Sequence, residues 1–91
     1  MAEQRMRATV RGRVQGVGFR YGVLSEAKRI GVAGFVENRP DGAVYVEAEG
    51  SPGQLDRLEA FLREGPPAAR VEAFDSERSA ASGGFEGFSW H

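Results

Sequence analysis

A change of hydrophobic period across one glycine-rich stretch constrains this chain more than any other feature. Met6, Ala8, Val10, Gly12 and Val14 share one parity, opposite Arg5, Arg7, Thr9, Arg11 and Arg13, as expected for a strand with one wet face. Beyond Gln15–Gly18, Val23, Leu24, Ala27 and Ile30 recur at helical spacing with Ser25, Glu26, Lys28 and Arg29 between them, and Gly31 is placed to stop that helix. The 91 residues provide material for one small core, so the expected organisation is a single domain over residues 1–91. Such a domain buries only roughly 60–65% of its extended-chain surface, so regular structure has to support the packing.

The rest of the chain reads in the same way. Val32 to Asn38 is a strand, Pro40-Asp41-Gly42 a turn, and Ala43 to Glu49 a second strand with Val44, Val46 and Ala48 on one side, together a hairpin. Ser51, Pro52 and Gln54 form a helix cap, a first-turn proline and a capping box ahead of Leu55, Leu58, Phe61 and Leu62. Gly65-Pro66-Pro67 ends that helix. Arg70 to Ser76 is strand-like, with Val71 and Ala73 on one face and Phe74 on the other, and Ser79 to Gly84 is a loose connection. Phe85, Phe88 and Trp90 suggest a short closing edge strand. The order predicts an α+β, ferredoxin-like βαββαβ sandwich, with two helices on one face of an antiparallel sheet.

Composition narrows the chemistry. Zero cysteines exclude a disulfide scaffold, thiolate catalysis, thiolate zinc sites and iron–sulfur clusters, and His91 alone leaves little for an imidazole metal site. No apolar run approaches the roughly 20 residues that cross a bilayer, and no signal-like segment opens the chain, so a cytoplasmic location is expected. Residues 1–29 carry seven Arg or Lys against two Glu, whereas the remainder carries five against eleven acids. A polyanion gains little from such a molecule, but a small anion can use the basic amino-terminal part.

Glycine density peaks where the first strand becomes a helix, in Gly12-Arg13-Val14-Gln15-Gly16-Val17-Gly18-Phe19-Arg20. Successive backbone N–H groups and a helix start can converge there on a phosphate, with the Arg20 guanidinium adding charge-assisted bonds. The same glycines equally suit a plain turn with a solvated arginine. Other glycine motifs fit worse: the segment lacks the Lys-Ser/Thr ending of a nucleotide P-loop and the third glycine of a dinucleotide fingerprint. No aromatic strand motif of an RNA-binding sheet is present, so no nucleic-acid partner is expected.

These residues closely resemble the signature loop of the acylphosphatase family, and Gly34-Phe35-Val36-Glu37-Asn38 with Asp41-Gly42 resembles that family's second signature. The likeness extends over nearly the whole chain; Phe35 stands where many relatives carry tryptophan. The resemblance implies hydrolysis of the carboxyl–phosphate bond of small acyl phosphates, without metal or organic cofactor. It implies phosphate binding by Gln15, Gly16, Val17, Gly18, Phe19 and Arg20, with Arg20 the main clamp, and water positioning by Asn38. Trp90 and Phe88 are expected to pack, and His91 to be a loose terminus. A carboxylate leaving group has a conjugate acid of pKa near 4, so it departs without a strong protein acid and a catalytic histidine is dispensable. A monomer is expected. The competing class is a noncatalytic anion-binding or protein-interaction module on the same fold.

Overall fold

The computed structural model describes residues 3–91. It contains β1 (Gln4–Arg13), α1 (Phe19–Ile30), β2 (Ala33–Asn38), β3 (Val44–Gly50), α2 (Pro52–Glu64), β4 (Arg70–Ala80) and β5 (Phe88–Trp90). The alternation in β1 does what its parity predicts: Met6, Ala8 and Val10 are fully buried, together with Val44, Val46 and Ala48 of β3 and Val36 of β2. Phe19, Val23 and Ala27 of α1 and Leu55, Leu58 and Leu62 of α2 close over them in one core cluster. α1 packs against β2 and β5, and α2 against β1, β3 and β4.

The sheet order is β4-β1-β3-β2-β5, so the first strand is interior and is paired on both sides. β4, β1, β3 and β2 are each antiparallel to their neighbours in that row, but β5 runs parallel to β2, pairing Gly34 with Phe88 and Val36 with Trp90. The closing edge strand therefore exists, and the sheet is mixed where an antiparallel one was expected. Direction is the cause. β4 ends beside the start of β1, where Gln4 faces Ala80, which is also the end of the sheet where β2 begins. A chain that crosses that end from one edge to the other must leave it alongside β2.

Both helices stop and start as the sequence predicts. Gly31 takes the left-handed conformation and donates to Ala27 O. At α2, Ser51 Oγ accepts from Gln54 N at 3.2 Å while Gln54 Oε1 accepts from Ser51 N at 2.9 Å. Gln54 Nε2 also donates to Ile30 O at 3.1 Å, so the α2 cap satisfies a carbonyl at the end of α1.

β4 departs from its expected pattern. It continues to Ala80, and Val71 and Phe74 both pack on the core while Ala73 is exposed. The pairing with β1 slips between Arg11 and Gly12: Arg11 faces Ala73, Gly12 faces Val71, and Glu72 is the extra residue of a bulge that reverses the parity of the strand. Gly12 makes this possible. Its φ is +128°, and a Cβ there would sit 2.2 Å from Arg70 O and 2.9 Å from Glu72 N.

On the helix-free face, Arg5 and Arg11 of β1 and Arg39 beyond β2 are paired with acids. Arg5 Nε pairs with Glu49 at 2.8 Å and its Nη1 reaches Glu47 at 3.5 Å; Arg11 pairs with Asp41 at 2.9 Å and Arg39 with Glu37 at 3.0 Å. These pairs diminish the positive surface that a polyanion needs. Glu49 is only 8% exposed, and its carboxylate also accepts from Ser82 N and Gly83 N at 2.9 and 3.0 Å, fastening the segment after β4 to β3.

Two predictions follow from this packing. Gly12→Ala should destabilise the fold by about 2 kcal/mol or more, because the contact is with backbone, which at roughly 4–8 °C per kcal/mol lowers the melting temperature by about 10 °C. Thermal unfolding checks it. The Ser82 N–H, with Arg5 and the Gly83 N–H assisting and burial opposing, holds the Glu49 carboxyl below its ordinary 4.5. A depressed folded-state value contributes stability that is complete above the unfolded-state pKa and is lost as pH falls through the folded one. Melting temperature should therefore fall below about pH 4.5, with a shallower acid slope in Glu49→Gln.

Candidate active site

β1 leaves the sheet at Arg13 and reaches α1 after five residues, 14–18. Both ends of this loop are pinned in the core: Val14 and Phe19 are each 1% exposed, and Phe19 lies 6.3 Å from the Phe61 ring of α2. Between them Gly16 and Gly18 take φ of +75° and +80°, and a Cβ at either would meet nothing within 4 Å. The requirement here is backbone conformation, with open space above it. That form suits successive N–H groups converging on one point.

Gly18 is also the N-cap of α1. No side chain caps this helix start, and its first turn contains no acid. The first N–H groups of a helix have no intrahelical partners and carry the positive end of its dipole. α2, in contrast, closes its own start with Ser51 and Gln54. The uncapped start is thus the one beside the glycine loop.

Arg20, Asn38, Gly16, Gly18 and Phe19 line one concavity of about 100 Å³, with Val14, Tyr21 and Trp90 completing it. Residues separated in the sequence by a helix and a strand are brought together because α1 packs over β2, whose last residue is Asn38. Arg20 is half-buried and held by the tail: its Nη1 donates to the His91 main-chain oxygen at 2.6 Å, and its guanidinium carbon lies 5.4 Å from the Trp90 ring centroid. A guanidinium has five N–H donors, so most remain for a ligand. Asn38 Oδ1 is, among the described residues, the buried side-chain polar atom that has no hydrogen-bond partner. Leaving such an acceptor unpaired costs about 1–3 kcal/mol, a cost found where a site awaits water or ligand.

Two of the residues expected to bind phosphate do not line the concavity. Val17 packs partly against the core, and the Gln15 side chain points to the neighbouring turn. Gln15 Nε2 donates to Arg39 O at 2.8 Å and to Ala43 O at 2.9 Å, tying the glycine loop to the β2–β3 turn directly after Asn38. The turn is further closed by Arg39 N to Ala43 O at 2.8 Å and Ala43 N to Asp41 Oδ1 at 3.1 Å.

The tail is better fixed than its composition suggests. His91 N donates to Val36 O at 2.9 Å and its ring stands edge-on to Phe35 at 5.5 Å, so the loose terminus expected from the sequence is extended alongside β2. Phe88 packs as predicted, whereas Trp90 is 49% exposed on the wall of the concavity. Tyr21 and Trp90 had no local signal that marked them for the site. A larger hollow, about 720 Å³, lies between Phe35 and residues 84–89 and contains neither Asn38 nor any of Gln15–Arg20. Among the described residues no group of three or more His, Cys, Asp or Glu is placed to hold a metal ion, and no helix is long and apolar enough to cross a membrane.

An uncapped helix start, a glycine loop, an arginine and an asparagine thus line one small hollow. The profile of the acylphosphatase family matches residues 6–90. The chain is 49% identical over 85 residues to an acylphosphatase of Rubrobacter xylanophilus, covering 93% of this chain and 77% of that one. It is 48% identical over 86 residues to an acylphosphatase of Salinibacter ruber, covering 94% and 90%. The crystal structure of acylphosphatase from Bacillus subtilis superposes with a TM-score of 0.93 at 39% identity, covering 97% of this chain and 98% of that one. The chain belongs to the acylphosphatase family, and its activity is hydrolysis of acyl phosphates to carboxylate and inorganic phosphate. This favours the enzyme over the noncatalytic module that the loop alone left open.

The Gln15 bridge generates a stability test. Gln15→Ala leaves the Arg39 and Ala43 carbonyls without their side-chain donor and should cost about 1–2 kcal/mol. Gln15→Glu sets a carboxylate against the same two oxygens and should cost more. Melting temperatures in the order wild type, Ala, Glu are expected.

Proposed function

We propose that the glycine loop and Arg20 hold the phosphoryl group of the substrate, and that Asn38 positions the water that attacks it. The observation that supports this most directly is the shared concavity, which the uncapped start of α1 and the Arg20 and Asn38 residues line together. Backbone N–H groups of residues 15–20 and the guanidinium supply donors, and the phosphoryl oxygens supply acceptors. The loop amides do this whatever their side chains, so Gln15 and Val17 contribute through the main chain while their side chains brace the loop.

In this mechanism water attacks phosphorus in line with the departing carboxylate. A phosphorus–oxygen bond to water forms as the bond to the acyl oxygen breaks, and that electron pair leaves on the carboxylate. The water proton passes to a phosphoryl oxygen, so inorganic phosphate is the second product and no enzyme side chain changes its protonation. Asn38 Oδ1 accepts from the water; a turn about its terminal torsion, which is soft, brings the oxygen to the open side of the hollow. Catalysis comes from positioning and from donors fixed around the developing charge. No metal or cofactor takes part in these steps.

Loss of acetyl phosphate with stoichiometric release of inorganic phosphate, measured in a metal chelator, tests the whole reading. Arg20→Ala should lower kcat/KM by roughly 100- to 1,000-fold, the scale seen when one charge-stabilising donor is removed. Asn38→Ala should lower kcat by a similar factor while inhibition by product phosphate persists, since it removes a contact made to water and not to phosphate. Folded variants with undiminished turnover would show that the chemistry lies elsewhere, and loss of activity in chelator would show that a metal takes part.

A further inference from the structure

The hollow that holds Arg20 and Asn38 measures about 100 Å³. With the phosphoryl group held by the loop and Arg20, the acyl part of a substrate extends beyond them. What it then touches is set by the remaining wall. Of the side chains that line the hollow, Val14 and Phe19 are buried and Arg20 and Asn38 are half-buried. Only Tyr21 and Trp90 stand out into solvent, at 65% and 49% exposure.

These two are also the exposed large hydrophobic side chains among the described residues. Their rings meet edge-on, with centroids 6.3 Å apart at 61°. Tyr21 lies outside the Phe19, Val23 and Ala27 stripe that α1 buries, so packing of the helix does not account for an aromatic residue there. Apart from Arg20, no charged residue lines the hollow, and a charged acyl group finds no partner of its own.

We propose that Tyr21 and Trp90 form an acyl-group platform that selects acyl phosphates with flat, apolar acyl groups over small or charged ones. Aromatic faces and edges favour planar apolar partners by a modest, geometry-dependent amount. The platform acts on the substrate's leaving portion and takes no part in phosphoryl transfer. It rests on the assignment of this hollow as the catalytic site.

Benzoyl phosphate and acetyl phosphate are suitable probes, and the readout is the ratio of their kcat/KM values, each normalised to its spontaneous hydrolysis. Tyr21→Ser should lower that ratio roughly 2- to 10-fold, and Tyr21→Phe should restore it. Trp90 also orients Arg20, so Trp90→Ser is expected to slow both substrates and to lower the ratio as well. A ratio unchanged in folded Tyr21→Ser, with Arg20→Ala inactive on both substrates, overturns the platform and leaves the site standing. Full activity of Arg20→Ala on both substrates overturns the site, and the platform with it.

Discussion

The pairing of β1 on both sides fixes where the chain leaves the sheet, and the site depends on that point. β1 is held by β3 from Gln4 to Val10 and by β4 as far as Arg13, so the glycine loop begins from an immobilised strand. The bulge at Glu72 keeps β4 in contact through the last turn of that strand while letting Val71 and Phe74 both reach the core. Val14 and Phe19 then anchor the loop from inside, and Gln15 fastens it to the β2–β3 turn. A loop of five residues so restrained has little entropy left to lose when an anion binds, which is the condition for fixed donors to favour a transition state.

Charge follows the same logic. Near-neutral overall composition could disperse a basic amino-terminal region over the surface, but the ion pairs of Arg5, Arg11 and Arg39 take those groups out of play on the helix-free face. Arg20 is kept apart from them. Its partner is the His91 main-chain oxygen, which orients the guanidinium. The positive end of α1 adds to it because no acid occupies the first turn.

The elements of this fold were legible wherever a period was long enough to read: β1, α1, the hairpin and the capped start of α2 follow directly from their sequences. The bulge was not, because Val71, Ala73 and Phe74 fit a plain alternation as well as a broken one, and only the pairing with Gly12 decides between them. Three residues of β5 are too few to show a direction, which comes from the end of the sheet at which β4 stops. Within the site, Gly16, Gly18 and Arg20 were visible in the loop itself. Asn38 was not visible from its neighbours, since an asparagine before Arg39-Pro40-Asp41-Gly42 equally suits a strand end; it came from the family resemblance, and its unpaired oxygen emerges only in three dimensions. Trp90 reaches the hollow through the parallel pairing of β5 and Tyr21 from the first turn of α1 beside Arg20, and neither has a local sequence signal.

Gly12 illustrates how closely the loop and the fold are joined. It belongs to the stretch that resembles a phosphate-binding signature, yet its conformation is demanded by the backbone of β4, and it does not line the hollow. Gln15 divides in the same way, with a main chain in the loop and a side chain in the turn. Residues of this kind couple rate to stability: a change that loosens β1 against β4, or the loop against the turn, displaces donors whose effect depends on sub-ångström placement. In a chain with no cysteine and one histidine, the proposed site acts through fixed charge and position. In the proposed mechanism, the packing that keeps Arg20 and Asn38 at one hollow is therefore itself part of the chemistry.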